Sequence, residues 1–247
     1  MPFTKHKPKI KQKDVKGFIL YEGKSELDGA PVVGIATLKS SNIKTGNMIQ
    51  TWFMRSDIAP TEAVKSGLDV SVCGNCPHRH YNDGACYVNV GHAPLQIYKS
   101  YKRGLYPKFD AVKHSQYITG RRIRLGSYGD PASVPYKILK ELTDFGNGWT
   151  GYTHQISHRN YDKQYNNLLQ ISADTPNQAL KYQQNGGYTF RVALPDDDLL
   201  PNEIECKADS QGITCQDCGL CNGQRQNIAI VVHGSRKKQF KSKLIAA

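Results

Sequence analysis

Residues 121–130 read RRIRLGSYGD. Arg122 and Arg124 alternate with Ile123 and Leu125, the period of a strand with one apolar face. Gly126, Gly129 and Asp130 then break the run, as loop residues do. The pattern recurs down the chain. WTGYT at 149–153 is followed by His154 and Gln155, and LLQI at 168–171 by Ser172, Ala173 and Asp174. YTFRV occupies 188–192, and IAIVV at 228–232 is followed by His233, Gly234 and Ser235. Helical stretches fall between them at 134–145 and 176–184. Strands alternating with helices predict βα units and a parallel sheet. The spacing of strand starts predicts an α/β fold of (β/α) barrel-like form, partial or irregular, with a doubly wound sheet as the alternative. No glycine-rich dinucleotide fingerprint follows the first strand, which weighs against that alternative.

Upstream of this series the chain offers three more strands. GFILY at 17–21, PVVGIATL at 31–38 and MIQTWFM at 48–54 are apolar and rich in β-branched or aromatic residues. They predict a small ribbon or the start of the main sheet. A short helix is expected over 59–67, with Pro60 near its start and Gly67 at its end. A second is expected over 94–103, closed by Gly104.

The 247 residues suffice for one domain with a full core. No signal-peptide pattern follows the basic N-terminus, and no apolar run reaches bilayer length. A cytoplasmic location is therefore expected, that of the host cell if the protein is phage-encoded, with no membrane partner. The formal net charge is +12 and is concentrated at the ends. Residues 1–16 carry six lysines and one aspartate, and Arg236, Lys237, Lys238, Lys241 and Lys243 cluster after His233. The reading is a basic flexible arm at 1–16, a single metal-binding domain at 17–235 and a basic tail at 236–247. Basic segments gain affinity for nucleic acid by releasing its counterions, so nucleic acid is the expected partner.

Seven cysteines divide into two groups. Cys206, Cys215, Cys218 and Cys221 provide four thiolates, three of them in a Cys-x2-Cys-x2-Cys run. Such compact runs ligate [4Fe–4S] clusters, whereas zinc sites more often use two separated Cys-x2-Cys pairs. An iron–sulfur cluster is expected, with zinc as the alternative. Cys73, Cys76 and Cys86 provide three thiolates. Three readings stand: His78, His80 or His92 completes a zinc site; a cluster keeps one open iron; or all seven cysteines share one larger centre. The open-iron reading makes an enzyme.

Polar residues at strand ends are where a barrel places its active site. Asp130, His154, Asp174 and His233 stand at such ends, and Arg191 lies within a strand. These five are the candidate catalytic residues. Four of them have another reading. Asp130 or Asp174 caps the helix that follows it. Thr175 also suits that capping role, which frees Asp174. His154 is also readable as a structural histidine, and a buried Arg191 pairs with a carboxylate or with an anionic substrate. Tyr161 and Tyr165, near His158 and Arg159, are placed to stack on bases.

Two resemblances follow from these motifs. Cys-x2-Cys-Pro-His-Arg at Cys73 to Arg79, then Cys86-Tyr87, precedes Arg-x-Gly-x-Tyr-Gly-Asp-Pro at Arg124 to Pro131. Cys-x2-Cys-Gly-x-Cys at Cys215 to Cys221 and a strand ending in His233 follow. Together, over roughly residues 42–235, the chain resembles uncharacterised cysteine-rich proteins of bacteriophages and mobile elements, including phages of actinobacteria. That resemblance implies a phage or prophage origin. A three-cysteine group beside a β/α barrel also resembles the radical S-adenosylmethionine enzymes in logic. Their usual run is Cys-x3-Cys-x2-Cys, where this chain has Cys73-x2-Cys76-x9-Cys86. The expected function is a metal-dependent, iron–sulfur phage protein acting on nucleic acid or nucleotides. The alternative is a non-enzymatic nucleic-acid-binding or host-interaction module with structural zinc.

Overall fold

The computed structural model of the chain describes residues 15–233 and 236–245. The expected arm at 1–16 lies outside these, apart from Val15 and Lys16. Three strands open the fold: β1 (Gly17–Lys24), β2 (Pro31–Thr37) and β3 (Ile49–Arg55), each antiparallel to its neighbour. β4 (Ile123–Tyr128), β5 (Trp149–Thr153), β6 (Gln170–Ala173), β7 (Thr189–Ala193), β8 (Glu203–Glu205) and β9 (Asn227–Val231) are parallel to one another, and β4 is parallel to β3. The result is one mixed nine-stranded sheet in the order β1-β2-β3-β4-β5-β6-β7-β9-β8. The first three strands begin the main sheet and do not form a separate ribbon. The hydrogen-bonded order starts at β1 and stops at β8, and no ladder joins these two among the described residues.

Helices fill the crossovers. α1 (Pro60–Ser66), α2 (Val70–Cys73), α3 (Ala93–Lys102) and α4 (Ala111–His114) lie between β3 and β4. α5 (Tyr136–Phe145) follows β4, and α6 (Pro176–Gln184) follows β6. The short α7 (Lys207–Ser210) and α8 (Cys215–Cys218) lie between β8 and β9, and α9 (Lys237–Ile245) follows β9. The basic tail is thus helical where it is described. No helix among the described residues is long and apolar enough to cross a membrane.

Strand periodicity sorts the core onto two faces. Phe53, Ile123 and Leu125 face Leu139 and Leu142 of α5, all buried. Burying each leucine contributes about 2 kcal/mol. Val33, Ile35, Trp52, Met54 and Tyr128 belong to the other face, packed on Ile97 and Tyr98 of α3. Arg124 lies on that second face, in register with Thr150 of β5. The parallel strands all point the same way, so their C-terminal ends share one rim, and the crossover bearing Cys73, Cys76 and Cys86 leaves from the end of β3.

Candidate metal centre

Three strand ends build this site. β4 ends into Asp130, whose backbone N–H donates to Val72 O of α2 at 2.6 Å. Its Oδ1 accepts from Ala132 N at 3.0 Å, so the capping role is real. Its Oδ2 accepts from His154 N at 2.9 Å and Thr153 Oγ1 at 3.1 Å. Asp130 therefore also fixes the loop that carries His154. Burial raises its pKa, while the N–H groups of Ala132 and His154 oppose that rise.

The next link is Gln155, fully buried after β5. Its Nε2 donates to Cys73 O at 2.9 Å, and its Oε1 accepts from Asn75 N at 3.1 Å. Gly74 turns there at φ 49°, and a Cβ on it would meet Gln155 Oε1 at 2.0 Å. Only glycine fits this approach. The turn is held from its other side by Arg79. Its Nη2 donates to Asp69 Oδ1 at 2.5 Å, its Nε to Asp69 Oδ2 at 3.1 Å and its Nη2 to Gly67 O at 2.6 Å. Asp69 is 2% exposed, so this is a buried two-pronged ion pair.

β6 ends into Asp174. Thr175 takes the cap of α6, its Oγ1 accepting from Gln178 N at 3.2 Å, which leaves the Asp174 carboxylate free to face the site. Asp174 Oδ1 accepts from His78 Nε2 at 2.7 Å and lies 3.4 Å from His154 Nε2. The two imidazoles stand edge to face, 5.5 Å between centroids. Burial pushes the Asp174 pKa up, but hydrogen bonds from His154 and His78 outweigh it and hold the carboxyl well below its ordinary range. Burial pulls His154 down, but negative charge on the neighbouring Cys76 sulfur and on Asp174, with their hydrogen bonds, outweighs it and raises its pKa well above the ordinary value. Phe240 of α9 stacks on His78 at 5.2 Å, and Arg236 Nη1 donates to Gly84 O at 3.0 Å.

One ligand atom from each of His78, His154 and Asp174 lies within 4.8 Å of the others. Ligands bound about 2.0–2.2 Å from one zinc stand about 3.3–3.6 Å apart in a tetrahedron, so small side-chain movements close the trio on an ion. Among the described residues this is the one such group of three or more. The cysteines are all free. Burial, and after it the charges of Asp69, Cys76 and Cys86, raises the Cys73 pKa well above its ordinary value, and burial also raises that of Cys86. Burial likewise raises the pKa of the Cys206, Cys215 and Cys221 thiols. No three sulfurs of either group come within 4.8 Å of one another.

The five candidate residues from the sequence separate. Asp130, His154 and Asp174 share the rim. Arg191 does not join them: it is fully buried, with Nη2 donating to Glu203 Oε2 at 2.8 Å and Nη1 to Asp197 Oδ2 at 3.2 Å. His233 lies beyond β9, where its Nε2 accepts from Lys44 Nζ at 3.2 Å. Of the three histidines near the first cysteines, His80 donates Nε2–H to Val88 O, His92 leads into α3, and His78 alone reaches the trio. The sequence reading placed His78 beside the cysteines and missed its partnership with Asp174. It named Gln155 only as a polar residue following the strand and missed its hold on the cysteine turn, and it missed Phe240. His78 had one local signal, its position two residues after Cys76; Phe240 had none.

Comparison with known proteins gives no family for this chain. No family model matches it, and neither a curated protein nor a solved structure is significantly similar.

Proposed function

We propose that this is a phage-encoded, metal-dependent enzyme acting on nucleic acid or nucleotides, with its centre at the rim where His78, His154 and Asp174 adjoin Cys73, Cys76 and Cys86. The observation that carries the reading is the convergence of two imidazoles on one carboxylate. Two histidines and one carboxylate hold a divalent ion on one side and leave its other positions open to substrate and water, the arrangement of non-haem iron sites. The three thiols beside it suit an iron–sulfur cluster with one iron not ligated by cysteine. Strand-end placement supports a barrel-like arrangement, since barrels carry their chemistry at that end. The charge of +12 supports a polyanionic or phosphate-bearing substrate.

The test is anaerobic purification followed by iron, zinc and sulfide analysis and visible spectroscopy. A coloured protein with iron, losing metal in His154→Ala and Asp174→Asn, is the expected result. A colourless protein with stoichiometric zinc supports the non-enzymatic module with structural zinc. A protein that takes up no metal under any loading condition overturns both.

A further inference from the structure

Two side chains at the start of α9 land on the loop that carries His78. Phe240 stacks on the His78 ring, with 28° between the planes, and is 5% exposed. Arg236 Nη1 donates to Gly84 O at 3.0 Å. The two stand four residues apart, one turn of helix, so one face makes both contacts. Phe240 N donates to Arg236 O at 3.1 Å, which fixes that spacing. The loop they meet is folded tightly on itself. Gly84 N donates to Arg79 O at 2.8 Å, and Cys86 N to His78 O at 2.9 Å. A Cβ on Gly84 would stand 2.1 Å from the carbonyl carbon of His78, so only glycine lets the loop close there. The helix thus holds His78 twice: its ring through Phe240 and, through Gly84, its backbone.

The helical period of about 3.6 residues puts Lys237, Lys238 and Lys241 off that contact face. Lys237 and Lys238 are exposed and Lys241 is half-buried. Among the described residues no carboxylate pairs with any of the three, in contrast to Arg79 with Asp69 and Arg191 with Glu203. On the loop that Arg236 holds, Tyr87 is 73% exposed. Unpaired lysines and a bare aromatic ring suit the two parts of a single-stranded nucleic acid, phosphate and base. A lipid surface is the poorer match. Of the side chains described on α9 the apolar one is Phe240, and it is already buried against His78.

We propose that α9 is a nucleic-acid-binding strap across the rim: Lys237, Lys238 and Lys241 engage the phosphates of a single strand, Tyr87 stacks on a base, and Phe240 passes that engagement to His78. Phe240 is a positioning residue and touches no nucleic acid. A strand that keeps α9 docked keeps the His78 ring in place, so strand and metal tighten each other by the same factor. The metal half of this inference rests on the function proposed for the rim; the strand half does not.

The test uses the full chain and a mixed-sequence single-stranded DNA of about 20 nucleotides, first without metal and then with zinc. Without metal, changing Lys237, Lys238 and Lys241 together to Ala weakens DNA binding at least about tenfold and lowers the slope of log affinity against log salt by about 2. Tyr87→Ala weakens binding with the slope unchanged. Hydrogen exchange at residues 78–86 slows when the wild type binds the DNA, and does not slow in Phe240→Ala. Phe240→Tyr, which keeps the ring, restores the slowing. With zinc, saturating DNA raises metal affinity at least about fivefold, and Phe240→Ala loses that rise. Wild-type affinity and slope in the triple lysine variant overturn the proposal. So does exchange at 78–86 that ignores the DNA or slows equally in Phe240→Ala, or a zinc affinity that the DNA leaves unchanged in a chain that loads zinc. Binding to phosphatidylserine vesicles in place of the DNA overturns it in favour of a membrane partner. A chain that passes the metal-free tests yet takes up no zinc or other metal overturns the function proposed for the rim and supports α9 as the strand-binding element.

Discussion

His78 and Asp174 meet at 2.7 Å although ninety-six positions separate them in the chain. One comes from the crossover between the parallel neighbours β3 and β4, the other from the end of β6. Their meeting is what turns a row of strand ends into a site.

Asp174→Asn keeps the shape of that carboxylate and removes its charge. Metal affinity at the rim, measured by competition with a chromophoric chelator, is expected to fall by at least about tenfold. The fold is expected to survive, because Thr175 and not Asp174 caps α6. An unchanged affinity would remove Asp174 from the ligand set.

The same trio makes the stability of chelator-treated protein depend on pH in two directions. Asp174 is held below its ordinary 3.8, so its contribution is present above that value and is lost as pH falls through the folded value. His154 is raised above its ordinary 6.5, so its contribution is complete below that value and is lost as pH rises through the folded one. Stability is expected to peak between about 4 and 6.5 and to flatten in His154→Ala. Urea denaturation across that range measures it.

Asp69→Asn breaks the buried pair that holds the cysteine turn. Removing one partner of such a pair costs about 3–5 kcal/mol, because the other is left charged and buried. Denaturant midpoints are expected to drop accordingly. Metal uptake at the rim falls as well, since Arg79 no longer positions Cys76 and His78.

Arg191 gives the contrasting case. Glu203→Ala leaves a fully buried guanidinium short of its main partner and is expected to cost a similar 3–5 kcal/mol or so. Rim metal binding is expected to stay within about twofold of wild type in protein that remains folded. A selective loss of metal would place Arg191 in the site after all.

Most of the sheet was legible because period-two apolar runs are local. Eight of the nine strands lie on runs that alternation and β-branching mark out. β8 escaped because it is three residues long, Glu203-Ile204-Glu205, too short for an alternating run to show, although a turn at Pro201-Asn202 leads into it. Three of the five site residues stand on one rim, since strand direction fixes which ends share it. Arg191 looked functional for want of a visible partner; Glu203 lies twelve residues on, past a loop that gives no sign of folding back. His78 with Asp174, and Phe240 over His78, are contacts between distant segments, and a single sequence carries no periodic trace of them. Closure of the sheet was a further expectation that pattern alone does not reach, because it depends on how the two terminal strands are placed.

The Arg191–Glu203 bond has one more consequence. Arg191 belongs to β7 and Glu203 to β8, and β9 lies between them with the small Ala229 in register with Arg191. The ion pair therefore clasps β8, the short outermost strand, across its neighbour. At the other end of the sheet, Ile19 of β1 is already engaged, donating to Pro107 O and accepting from Phe109 N. An open, flat edge recruits further strands from other molecules. Here one edge is only three residues long and pinned from within, and the other is partly occupied by its own chain, which guards the protein against edge-to-edge aggregation.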